Sequence, residues 1–157
     1  MLPADITPSP KSLYALTNSI QPVRRAWLQV ARITIESIGL SVPVGTAVLM
    51  THRYGPDIAQ KDLALAVGVN SGALVRTLDQ AEQANLLQRT DSPNDRRCKT
   101  VNLMPDGAEI ALQIEQRLQA VRQDLFSDLA EADIETATRV LRELEERAIA
   151  KAGKLAK

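Results

Sequence analysis

The sequence predicts a mainly α-helical chain with one small β-hairpin, and three observations carry that expectation. Apolar residues recur at three- and four-residue steps over most of its length. Between Leu63 and Arg76 a short helical pattern ends at Gly68, passes the apolar Val69, meets Asn70 (a good N-cap) and starts again. Between residues 86 and 104 two short strand-like runs flank a turn of Asp91, Ser92, Pro93, Asn94 and Asp95, which is followed by Arg96-Arg97. A helix–glycine–helix unit alone occurs in many enzymes. The order helix, helix, hairpin with a basic tip, long helix pair is far more specific. It is that of a winged helix-turn-helix joined to long helices that form a dimerisation domain.

Residues 1–10 hold three prolines and little to bury, so they read as an irregular arm. Residues 12–38 are helical in pattern, with Leu13, Leu16, Ile20, Val23, Trp27, Val30, Ile33, Thr34 and Ile38 at three- and four-residue steps. Pro22 inside that run predicts a kink or a start near it, and Gly39 an end. Ser41 can cap a second helix, Pro43 suits its first turn, and Gly55-Pro56 stops it after Tyr54. A short extended piece is expected around Ile58, then a helix from Gln60 to Val67 and another from Asn70 to about Ala84. Asn85 tolerates the left-handed conformation that a helix end wants. After the hairpin, helices are expected from Pro105 to about Leu129 and from Glu131 to about Ala150. The last has Ile134, Ala137, Leu141, Leu144 and Ala148 on a narrow seam of the kind used between helices. The expected organisation is an arm (1–10), an N-terminal helix contributing to dimerisation (11–40), the winged helix-turn-helix lobe (41–104) and two C-terminal dimerisation helices (105–157).

The composition fits a globular chain large enough for a real core. No apolar run approaches the ~18 residues of a membrane span, the N-terminus lacks a secretory pattern, and a cytoplasmic location is expected. The single cysteine, Cys98, excludes an intramolecular disulfide and a cysteine-rich zinc site. Net charge is zero, but cations exceed acids by three in residues 1–56, balance them in residues 57–104, and trail by three beyond. Any affinity for nucleic acid must come from the local placement of a few cations, doubled by dimerisation.

With Leu74, Leu78 and Ala81 inward, the helix after Asn70 presents Ser71, Gly72, Val75, Arg76 and Gln80 outward. Small residues in its first turn allow close approach to base edges, and its free amides suit phosphate. Arg76 is the cation on this face able to read guanine. The competing expectation is an exposed arginine paired with Asp79 or Gln80 at helical spacing. Arg96-Arg97 in the hairpin turn can reach phosphates or a narrow groove.

On these residues the chain resembles the MarR family of bacterial transcription regulators over roughly residues 40–128. The resemblance rests on Leu63-Ala64, Val67-Gly68-Val69 and the Asn70 cap. It rests also on Leu78-Asp79, Glu82, and Asn85 through Arg89, and above all on Pro93 through Leu103 with Gly107. It implies a homodimer on an inverted-repeat operator in double-stranded DNA, with the recognition helix in the major groove. It also implies Arg97 in the flanking minor groove, Asp95 buttressing the wing and Arg96 on phosphate. The sequence departs from the family pattern at Asn85, where glycine is frequent, at Met104, where a threonine cap is usual, and at Ala59, where a threonine or serine cap is usual. Pro105 and Asp106 must then start the next helix.

The family commonly senses small aromatic or phenolic anions, and Trp27, His52, Arg53, Tyr54 and Arg24 are the candidate effector contacts, with Tyr14 behind them. Trp27 on an apolar stripe equally reads as core, and His52 as an ordinary surface residue. Cys98 beside Arg97 and Lys99 reads either as a thiol whose thiolate is favoured or as a small residue at the start of a buried strand. One histidine, no glycine-rich phosphate loop and no ligand spacing for a metal leave no catalytic residues, metal or cofactor to assign, so an enzyme is not expected. The expected function is a dimeric DNA-binding regulator, a repressor released by a small ligand. The alternative is a winged-helix module that binds a protein instead of DNA.

Overall fold

The computed structural model describes residues 7–92 and 98–156. Its elements are α1 (Pro10–Glu36), α2 (Val42–Tyr54), β1 (Ile58–Ala59), α3 (Gln60–Val67), α4 (Ser71–Gln83), β2 (Leu87–Asp91), β3 (Lys99–Leu103), α5 (Pro105–Leu125) and α6 (Glu131–Leu155). The chain divides into two compact units, residues 1–119 and 120–157. The division falls inside α5 and does not coincide with the expected boundary at 104/105.

The first unit holds the core. Val44, Ala47 and Val48 of α2, Leu63 and Ala64 of α3, Leu74, Leu78 and Ala81 of α4, Leu86, Leu87, Val101 and Ala111 form one buried cluster. A second cluster of Ile35, Leu49, Ile114 and Leu118 seats the end of α1 and the first part of α5 on α2. Burial of these apolar groups is the main stabilising force. Glycine permits two close approaches. At Gly45 a Cβ would lie 2.3 Å from Ile35 Cγ2, and at Gly107 it would lie 1.9 Å from the Leu86 carbonyl oxygen. The first turn of α5 therefore presses on the backbone where the wing begins, and the specific glycine of the wing motif has a steric reason.

The hairpin is part of a three-stranded antiparallel sheet in the order β1-β3-β2. Leu87 faces Leu103 and Asp91 faces Lys99 across the wing, while Ile58 faces Val101. The turn into β1 is held by a reciprocal clamp. The Asp57 backbone N–H donates to Asn102 Oδ1, and Asn102 Nδ2 donates to Asp57 Oδ1, both at 2.8 Å. Asp57 sits at φ 58°, a left-handed conformation that a non-glycine residue holds only when its surroundings support it.

Three expectations about elements need adjustment. α1 runs continuously through Pro22, without starting there. The donor that proline lacks would have served the carbonyl of Asn18, which is exposed and open to water. α5 ends at Leu125 and not near Leu129. The Ser127 hydroxyl donates to the Asp124 carbonyl, and i+3 bonds carry the chain from Phe126 to Leu129. α6 extends one turn past the expected end, to Leu155.

In the second unit, α6 buries none of its described residues. Its seam residues Ile134 and Leu141 are exposed, as are Ile149 and Leu155 beyond. Among the described residues no helix is long and apolar enough to cross a membrane.

Candidate nucleic-acid interface

The helix-turn-helix is set by short-range bonds. Gly68 adopts φ 79°, and its N–H donates to the Ala64 and Leu65 carbonyls at 2.9 and 3.1 Å, closing α3. Val69 N–H also donates to the Ala64 carbonyl. Asn70 then caps α4, its Oδ1 accepting from the Ala73 N–H at 2.8 Å. Ala59, at the N-cap position of α3, makes no side-chain cap bond, as its methyl group dictates.

Leu74, Leu78 and Ala81 are wholly buried, which fixes the rotation of α4. Ser71, Gly72, Val75, Arg76 and Gln80 are consequently exposed together on its other face. A Cβ at Gly72 would meet only Asn70 Oδ1, at 3.5 Å, so nothing within the lobe requires glycine there. The small residue leaves the first turn open to an outside partner.

Arg76 has no hydrogen bond or ion pair among the described residues, and the expected local pairing with Asp79 is not made. Asp79 is taken by Arg89 of β2, whose Nη2 donates to Asp79 Oδ1 at 2.5 Å. The same guanidinium holds Glu82 Oε2 through Nη2 at 2.5 Å and Nε at 3.1 Å, and the Arg89 backbone N–H donates to Glu82 Oε1. The side-chain hydrogen bond from Arg89 holds the Glu82 carboxyl below its ordinary value, against the opposing effect of burial. In the sequence Arg89 and Glu82 belong to the family pattern and carry no evident role of their own. Their contact ties the first wing strand to α4.

The wing strands are joined by Thr90 and Thr100, whose hydroxyls lie 2.9 Å apart, and by the Lys99–Asp91 pair at 2.5 Å. The Ser92 N–H donates to the Cys98 carbonyl at 2.9 Å. Asp95, Arg96 and Arg97 lie between these two residues, outside the described residues. Cys98 is exposed and precedes β3, so the buried strand-start expected for it is corrected. Nothing in the sequence links Lys61 to Lys99. The β1–β3 pairing, with Ala59 opposite Thr100, brings both to one groove of about 250 Å³ with Gln60, Ser71 and Cys98.

The effector candidates are dispersed. Trp27 is half-buried against the cluster of Ile35, Leu49, Ile114 and Leu118. Arg53 Nε is paired with Glu115 Oε1 at 2.5 Å. Tyr54 is exposed. His52 lines a recess of about 290 Å³ with Thr51, Gly55, Pro56, Asn102 and Leu103. Arg24 lines a different one on α1, with Arg25 and Arg32. The structure does not bring Arg24 and His52 to one recess. Among the described residues no group of three or more histidines, cysteines or carboxylates could hold a metal ion.

Residues 45–99 match the model of the MarR family. Among solved structures, the transcriptional regulator PA3341 is 26% identical with a TM-score of 0.78, covering 86% of this chain and 98% of its own. Wild-type MarR from E. coli, in its apo form, is 25% identical with a TM-score of 0.68 over 89% of this chain and 98% of its own. A mutant of E. coli MarR complexed with operator DNA is 24% identical, with a TM-score of 0.67 over 88% of this chain and 99% of its own. Residues 45–99 therefore match the MarR family's domain, and the chain as a whole shares its fold with solved transcriptional regulators of that family.

Proposed function

We propose that the chain acts in the cytoplasm as a homodimer that binds an inverted-repeat operator and represses transcription until a small aromatic acid releases it. The observation that carries the DNA-reading part is the outward face of α4. It presents small residues in its first turn and one arginine, Arg76, with no partner among the described residues. Such a face can enter a major groove, with Arg76 donating to guanine and the first-turn amides facing phosphate. Arg96 and Arg97 of the wing take phosphate and the flanking minor groove, with Asp95 buttressing the turn. That a mutant of E. coli MarR with the same fold is complexed with operator DNA supports DNA as the ligand.

Dimerisation is supported by apolar residues that one chain leaves in water. These are Leu13, Val23 and Ile33 on α1, and Ile134, Leu141, Ile149 and Leu155 on α6. A two-fold dimer would set two copies of α4 on successive major grooves. Effector release is supported by the recess at His52. It abuts Asn102, which clamps the turn into β1, so an aromatic acid seated there would act on the base of the wing.

The test is duplex binding across a salt series. A duplex is selected from a random library by the wild-type protein, and its affinity is measured by fluorescence anisotropy. DNA binding should weaken steeply and linearly on a log–log plot, because phosphate contacts release counterions. Failure to select any duplex, or a salt-independent affinity, would favour the module that binds a protein through this surface.

A further inference from the structure

We infer that Arg89, a wing-strand residue, is a positioning residue for DNA reading: by holding Asp79 it keeps Arg76 available to the operator. The inference rests on the DNA-reading role proposed for α4. Arg76 and Asp79 stand three positions apart on that helix, so their side chains are neighbours on its surface and would attract each other. They do not pair, because Asp79 accepts from Arg89 Nη2 at 2.5 Å. Arg89 is itself fixed by Glu82 through two side-chain bonds and one backbone bond. Its side chain is only 23% exposed, against 49% for Asp79. A planar guanidinium can hold two carboxylates at once in fixed directions, which an ammonium does less well.

Asp79 and Glu82 are the only acids on α4. One cation supplied by β2 therefore pairs with both and offsets one of their two charges. Without it, Asp79 would compete with DNA for Arg76 and would bring an uncompensated negative charge towards the phosphates. The same contact that joins wing to helix thus sets the charge of the reading face.

The test compares Arg89→Lys and Arg89→Met, each with and without Asp79→Asn, on the duplex selected by the wild-type protein at fixed salt. Thermal melting of each variant is recorded alongside. Arg89→Lys keeps a cation for Glu82 and serves if Arg89→Met does not fold. Arg89→Met should bind roughly 3- to 10-fold more weakly, the scale of one exposed ion pair gained plus one negative charge left uncompensated near phosphate, and Arg89→Lys, which keeps the charge, roughly 2- to 5-fold through the ion pair alone. Asp79→Asn should return affinity to within about twofold of the Asp79→Asn single variant, without restoring the melting temperature. Arg76→Ala should also cost less in the Arg89→Lys background than in the wild type. Absence of rescue by Asp79→Asn, or an equal cost of Arg76→Ala in both backgrounds, would overturn the inference while leaving DNA reading intact. If Arg76→Ala left wild-type affinity unchanged, the reading role of α4 would itself fall, and this role of Arg89 with it.

Discussion

Gly107→Ala should be among the most damaging conservative changes in the lobe. The added Cβ would lie 1.9 Å from the Leu86 carbonyl oxygen and 2.8 Å from its carbonyl carbon. Carbon and oxygen approach to about 3.3 Å even in the closest ordinary contacts, so the two backbones must part by roughly 1.4 Å. Neither is free to do so. The Leu86 N–H donates to the Ala81 carbonyl, its oxygen accepts from the Met104 N–H at 3.0 Å, and its side chain lies in the core. Overpacking of this kind costs about 1–3 kcal/mol, and loss of the Met104–Leu86 bond adds about 1 kcal/mol. Alanine in place of glycine within a helix returns about 1 kcal/mol. The net expectation is a loss of about 1–3 kcal/mol, or roughly 2–12 °C in Tm for a chain of this size. Urea melting at matched protein concentration measures it, because the stability of any chain that associates depends on concentration. A variant as stable as the wild type, or stabilised by the helix-propensity gain alone, would refute the close approach of α5 to the start of the wing.

Other perturbations have definite expected outcomes. Arg97→Ala should weaken operator binding by about 1–3 kcal/mol in a gel-shift titration at fixed salt, and unchanged binding would remove the wing from the mechanism. Asn102→Ala removes both clamp bonds to Asp57 and should cost about 1–2 kcal/mol in urea melting; an unchanged midpoint would show that the left-handed turn holds itself. Glu82→Gln tests the wing–helix contact through pH. A carboxyl held below its ordinary value adds stability above about pH 4.5 that is lost as pH falls through the lowered value. The wild type should therefore exceed Glu82→Gln most at neutral pH, with the gap closing under acid conditions, whereas parallel pH profiles would deny the Arg89 bond a net role.

What the sequence disclosed divides by range. The limits of α3, the Asn70 cap, the left-handed Gly68 and the left-handed Asn85 at φ 57° were all legible, because each is dictated by adjacent residues. The outward face of α4 followed from the spacing of Leu74, Leu78 and Ala81. The third strand was not legible as a strand: Ile58 and Val101 are far apart in the chain, and a two-residue strand has no periodicity to read. The Asp57–Asn102 clamp and the groove shared by Lys61 and Lys99 depend on that same pairing. The Arg89 contact was hidden for another reason. Arginine, aspartate and glutamate at those positions fit a solvated surface equally well, and only the docking of β2 on α4 decides between pairings. Cys98 is exposed although it alternates in step with the buried Thr100, because it precedes β3 and lies beyond the last paired position, Lys99 opposite Asp91.

The central claim, that the outer face of α4 reads sequence through Arg76, is tested most directly by selecting duplexes from a random library with the wild-type protein and with Arg76→Ala. The expected result is that Arg76→Ala loses its preference at one base pair in each half-site and keeps its preference elsewhere. Identical sequence profiles and affinities for the two proteins would contradict it.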